Sequence, residues 1–144
     1  MTSPNTFNPT SNGWYLRLER SANQKLEKVL AKPVVFNKLV YFTTYAYSAT
    51  VNPCSVPGEA KLYIVEYLSG GGAFTADGLV DLEGDPLARS QIIGPGAPST
   101  PVITVDVKGK ASVTIGTTGD QVLSAQIFSP SKSKETLYWR EVIP

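Results

Sequence analysis

Histidine is absent from the 144 residues and cysteine occurs once, at Cys54. Without imidazole and with a single thiol, the chain has no means for Cys-His or Ser-His-Asp catalysis, for zinc sites built on Cys and His, or for an internal disulfide. Excess charge is missing too: 13 Lys and Arg stand against 12 Asp and Glu, so no long-range field steers nucleic acid or anionic lipid to the surface. The basic residues are scattered rather than striped with aromatics, which gives a nucleic-acid groove no footing. No apolar run approaches the roughly 20 residues that span a bilayer, so no membrane span is expected. The opening residues, MTSPNTFNPTSN, have neither the basic head nor the apolar centre of an export signal. Residues 1–12 therefore read as a polar, disordered leader, and 13–144 as one domain.

What the chain does contain is Val, Ile, Tyr, Thr and Phe in short segments separated by Gly, Pro, Asn and Ser, with no sustained 3.6-residue period. That pattern predicts an all-β fold of antiparallel sheets, with strands over 14–19, 33–36, 39–47, 61–68, 101–105, 111–117, 122–128 and 137–142. Asn37-Lys38 and residues 107–110 supply tight turns. Residues 48–60 and 69–100 read as loops, and 21–30 as a connector or strand that stops at Lys32-Pro33.

An internal echo organises these strands. A Pro-led apolar strand, a polar turn and a second strand rich in Thr run from Pro33 to Thr44 and again from Pro101 to Thr117, and each copy is followed by a third strand. The spacing from Pro33 to Pro101 exceeds the roughly 40 to 50 residues of common propeller repeats, with the excess assigned to the loops. The expectation is about two propeller-like four-stranded blades, 13–75 and 101–144, joined by a loop over 76–100, or a compact β-sandwich made from them. Two blades close no propeller, so exposed edges make an edge-mediated homodimer an expected partner arrangement.

The residues Gly13-Trp14-Tyr15-Leu16-Arg17-Leu18, Ala31-Lys32-Pro33-Val34-Val35, Val40-Tyr41-Phe42-Thr43-Thr44, Asn52-Pro53-Cys54-Ser55, Leu62-Tyr63 and Leu68-Ser69-Gly70 follow one another in a fixed order. Gly94 to Pro101 (GPGAPSTP) and the tail Leu137-Tyr138-Trp139-Arg140-Glu141-Val142 complete the series. This ordered set resembles the C-terminal segment of the PilY/PilC family of type IV pilus tip-associated adhesins. The resemblance implies a non-enzymatic module in pilus assembly and in surface or host adhesion. It also implies minor pilins or surface receptors as partners, and an extracellular or outer-membrane location at the pilus tip. The family's EF-hand-like calcium loop is not reproduced.

The nearest acidic stretch places Asp77, Asp81, Glu83 and Asp85 within residues 77–85 without the 1, 3, 5, 12 ligand spacing and central Gly of an EF-hand. It reads first as a solvated loop; those four residues would be the ligands if calcium bound, and no other cofactor is expected. Alternation along 39–47 puts Tyr41, Tyr45 and Tyr47 on one face, as a core row with bonded hydroxyls or as a binding face for carbohydrate or protein. Two other functions stand as alternatives. One is a generic propeller-type interaction scaffold. The other is a fragment of a quinoprotein-like enzyme, to which a glycosidase using Glu59 and Glu66 adds a second catalytic variant, and neither variant finds supporting residues.

Overall fold

The computed structural model describes residues 13–18, 26–48, 54–74 and 88–127, among which there are strands and turns but no helix. The strands are β1 (Lys28–Val29), β2 (Val34–Phe36), β3 (Leu39–Ala46), β4 (Glu59–Glu66), β5 (Ser90–Pro95), β6 (Val102–Val105), β7 (Ala111–Gly116) and β8 (Val122–Ile127). All pair antiparallel. The strand expected over 137–142 lies outside the described residues, and 14–18 is not in a strand.

In the first sheet β4 lies between β3 and β5, while β1 and β2 share the outer edge of β3. Val34 pairs with Tyr41, and Val29 with Thr44. The break between β1 and β2 falls at Lys32-Pro33, where proline has no N–H to give to a ladder. The second sheet is the meander β6-β7-β8. The echo in the sequence thus corresponds to two meanders, β2-β3-β4 and β6-β7-β8, the first widened by β1 and β5.

Local chemistry explains the hairpins. Asn37 and Lys38 both have positive φ, 47° and 63°, the sense required by a two-residue turn whose twist matches that of the flanking strands. The β6-β7 turn is built on Asp106, whose Oδ1 accepts from the Lys108 and Lys110 amides at 2.8 Å each. Gly109 adopts φ 82° there and donates its N–H to the Asp106 carbonyl at 3.0 Å. The β7-β8 turn repeats this pattern on Thr117, with Asp120 (φ 59°) in the place that Gly109 holds.

The two sheets enclose one core. Leu39, Tyr41, Leu62, Ile64, Ala73 and Phe74 meet Ala111, Val113, Ile115, Ala125 and Ile127 from the second sheet, with Ile93, Ile103 and Leu123 at the margin. In β7 every second residue is buried, as a strand covered on one face demands. β4 differs: Leu62 through Val65 are all buried, so this strand, paired on both edges, is shielded on both of its faces. The two antiparallel sheets therefore pack on a common core, and the all-β class expected from the sequence is what the strands show.

Residues 96–101 carry the chain from one sheet to the other and bond to both. Thr43 Oγ1 donates to the Ser99 carbonyl at 3.1 Å, and the Ser99 amide donates to the Gly116 carbonyl at 2.8 Å. The Ala97 amide donates to Thr118 Oγ1 at 2.9 Å, and the Thr118 amide donates back to the Ala97 carbonyl at 3.0 Å. Two sequence expectations are corrected here. Ser90–Pro95 is a strand inside the segment read as a loop, and β4 begins two residues early at Glu59. β5 is an edge strand with a register shift opposite Ala60 and Lys61, and edges are where Gly94 and Pro95 are tolerated in a ladder.

Candidate functional site

The expected tyrosine row follows the pleat of β3 but divides by depth. Tyr41 is fully buried in the core, next to the equally buried Thr43. Its hydroxyl has no hydrogen-bond partner among the described residues, and burial pushes the phenol well above its ordinary range. Tyr45 is half-buried; its hydroxyl donates to the Pro57 carbonyl at 3.0 Å and its ring lies where a side chain on Gly58 would project. Tyr47 alone of the three is exposed. The row therefore runs from the core to the surface, and its accessible end is Tyr45 and Tyr47.

On the other face of the first sheet, sequence reasoning missed a buried polar cluster. Glu27, beside β1, accepts hydrogen bonds from Thr44 Oγ1 and, at 3.2 Å, from the Tyr63 hydroxyl, and its carboxylate lies 3.7 Å from Lys61 Nζ. Phe42 stacks on Tyr63 with ring centroids 4.9 Å apart. Each of these bonds reaches Glu27 from β3 or β4, so the carboxylate ties β1 to the sheet. The signal was a charged residue in the segment 21–30, which gave no periodicity to place it.

Two of the sequence motifs quoted above meet in space. Trp14 Nε1 donates to the Tyr67 carbonyl at 2.8 Å, and its ring covers Gly70, where a Cβ would come within 2.7 Å of the indole. Gly70 has φ 66°, and its carbonyl accepts from Arg89 Nε at 2.8 Å. The turn is completed by Glu66, whose Oε2 accepts from the Ser69 amide. Partial burial opposes ionisation of Glu66, but hydrogen bonds from the Ser69 side chain and the Ser69 and Leu68 amides, with Lys38 nearby, outweigh it and hold the carboxyl below its ordinary value.

The outward face of the second sheet carries rows of small polar residues. Thr104, Ser112 and Gln126 lie in register across its three strands, with Thr104 and Ser112 Oγ atoms 2.9 Å apart; Thr114 and Ser124 form the next row at 3.4 Å. Thr104, Ser112, Ser124 and Gln126, with Asp106 and Lys110, line a shallow depression of about 420 Å³. These hydroxyl and amide groups can donate and accept hydrogen bonds, and one acid balances one base. The depression suits neutral polar contact; no nucleophile in it is paired with a base.

Glu59 and Glu66 stand at opposite ends of β4, roughly 23 Å apart at the usual rise per residue, far beyond the separation at which two carboxyls share a glycosidic bond. Asp77, Asp81, Glu83 and Asp85 lie outside the described residues, as do Trp139 and Arg140. Among the described residues no three His, Cys, Asp or Glu side chains gather as metal ligands. No family model, curated protein or solved structure matches the chain.

Proposed function

We propose that this chain is a non-enzymatic adhesion and assembly module of a type IV pilus tip. The observation that carries the reading is the ordered set of motifs from Gly13 to Gly70 and from Gly94 to Val142, which resembles the PilY/PilC family. Convergence of Gly13-Trp14 with Leu68-Ser69-Gly70 into one turn supports treating two of those motifs as a unit. The antiparallel, all-β character of the described strands supports the reading at the level of fold class. Its partners are minor pilins or surface receptors, and its location is the outer surface.

A binding role agrees with the absence of histidine and with the separation of Glu59 from Glu66 along β4. The exposed surfaces available for contact are Tyr47, with the half-buried Tyr45 beside it, and the hydroxyl rows of the second sheet. Deleting the gene in its native host and restoring it tests the proposal. Loss and recovery of surface pili or adherence, with the protein labelled at pilus tips, is expected. Unchanged piliation and adherence, with no label on pili, would overturn it.

A further inference from the structure

The four sheet edges are not equally guarded. In the first sheet, one edge is broken between β1 and β2 at Lys32-Pro33, and the other, β5, carries a register shift, Gly94 and Pro95. These are ordinary devices that stop an edge from recruiting another strand. In the second sheet, β6 is short, four residues, and begins after Pro101. β8 has none of them. Its six residues, Val122-Leu-Ser-Ala-Gln-Ile127, include no charge, no Pro and no Gly, and β8 pairs with β7 alone among the described residues.

We infer that β8 is the pairing edge for a second copy of this chain, joined antiparallel across a two-fold axis at Ala125. The faces of β8 require the axis to pass through a residue, and Ala125 is the one that brings Leu123 opposite Ile127. Leu123, Ala125 and Ile127 point to the core, whereas Val122, Ser124 and Gln126 point outward. Residues opposite each other in an antiparallel pair share a face, so a two-fold axis between residues would set inward groups against outward ones. An axis at Ala125 sets Leu123 opposite Ile127 of the second copy and Ser124 opposite Gln126. The half-buried Leu123 gains apolar cover, and the row of Thr104, Ser112 and Gln126 continues into the Ser124 and Thr114 row of the second copy.

Charge agrees with self-pairing, because an uncharged edge meets itself without like-charge repulsion. The described strands of the two copies would form one six-stranded sheet, with the Thr and Ser rows of its outward face running across the junction. An interface of one strand per copy is small, so association is reversible on dilution. The inference is independent of the pilus setting.

Sedimentation velocity over a concentration series tests the association. A two-chain mass in concentrated solution, returning to one chain on dilution, is expected. Ser124→Lys places a charge on an exposed position at the edge without touching the core and should weaken the dimer by about tenfold or more. In a Cys54→Ser background, Ala125→Cys should oxidise to a covalent dimer faster than Ser124→Cys, because only the residue on the axis meets its own copy within disulfide reach. A single-chain mass at every concentration would overturn the inference. So would a dimer indifferent to Ser124→Lys, or one cross-linked preferentially through position 124.

Discussion

Replacing Tyr41 by phenylalanine should make the protein more stable. The ring lies fully buried between the sheets and its hydroxyl meets no hydrogen-bond partner among the described residues. A buried hydroxyl without a partner forfeits its bonds to water on folding, at about 1–3 kcal/mol. Phenylalanine keeps the ring and its packing while removing that loss, less a small dispersion term for the missing oxygen. The expected gain is about 1–2 kcal/mol, which for a domain of this size raises the melting temperature by about 3–8 °C. Urea denaturation followed by tryptophan fluorescence, with an unchanged m-value, measures the gain directly.

The same substitution has a signature in alkali. In the unfolded chain the phenol ionises near 10, whereas burial raises the folded value. The raised group contributes stability that is fully present below the unfolded value and is lost as pH climbs beyond it. The slope approaches about 1.4 kcal/mol per pH unit, and Tyr41→Phe should remove it. A neutral or destabilising effect of Tyr41→Phe, with an unchanged alkaline limb, would show that the hydroxyl is satisfied and that the reasoning is wrong.

Glu27→Ala should lower stability by about 2–4 kcal/mol, because Thr44 and Tyr63 lose a buried acceptor; Glu27→Gln, which keeps one carbonyl oxygen, should cost less in the same denaturation assay. Lys38→Gly should stabilise the β2-β3 hairpin by about 1 kcal/mol, since both turn residues have positive φ and glycine enters that region without strain. Glu66 has a depressed value when folded, so its contribution is present above the ordinary carboxylate range and is lost as pH falls through it. Glu66→Gln should flatten the acid limb of a stability-pH profile. Calcium titrated calorimetrically into the protein and into an Asp77→Ala, Asp81→Ala variant tests the acidic stretch; any specific heat should vanish in the variant, and none in either excludes a site there.

Alternation made β7 legible, since it places every second residue against the core and the sequence shows that period directly, whereas β3 was legible from its run of β-branched and aromatic residues. Asn37 and Gly109 announced their turns as residue types suited to positive φ. β5 was hidden because Gly94 and Pro95 are loop formers in a sequence and become strand residues only at an edge. The candidate surfaces were less legible than the strands. The period of β3 put Tyr41 and Tyr45 on a common face but said nothing about which part of that face the second sheet would cover.

Strand chemistry, the antiparallel meanders and the lack of imidazole chemistry were determined by the sequence alone, because they depend on residue type and spacing within a few positions. Tertiary structure decided the rest. Packing the second sheet on one face of the first buried Tyr41, while pairing within the first sheet brought Glu27 to Thr44 and Tyr63, and the turn after β4 received Trp14 at Gly70. Those outcomes depend on contacts between residues far apart in the chain, whose proximity exists only once strands have paired and layers have packed.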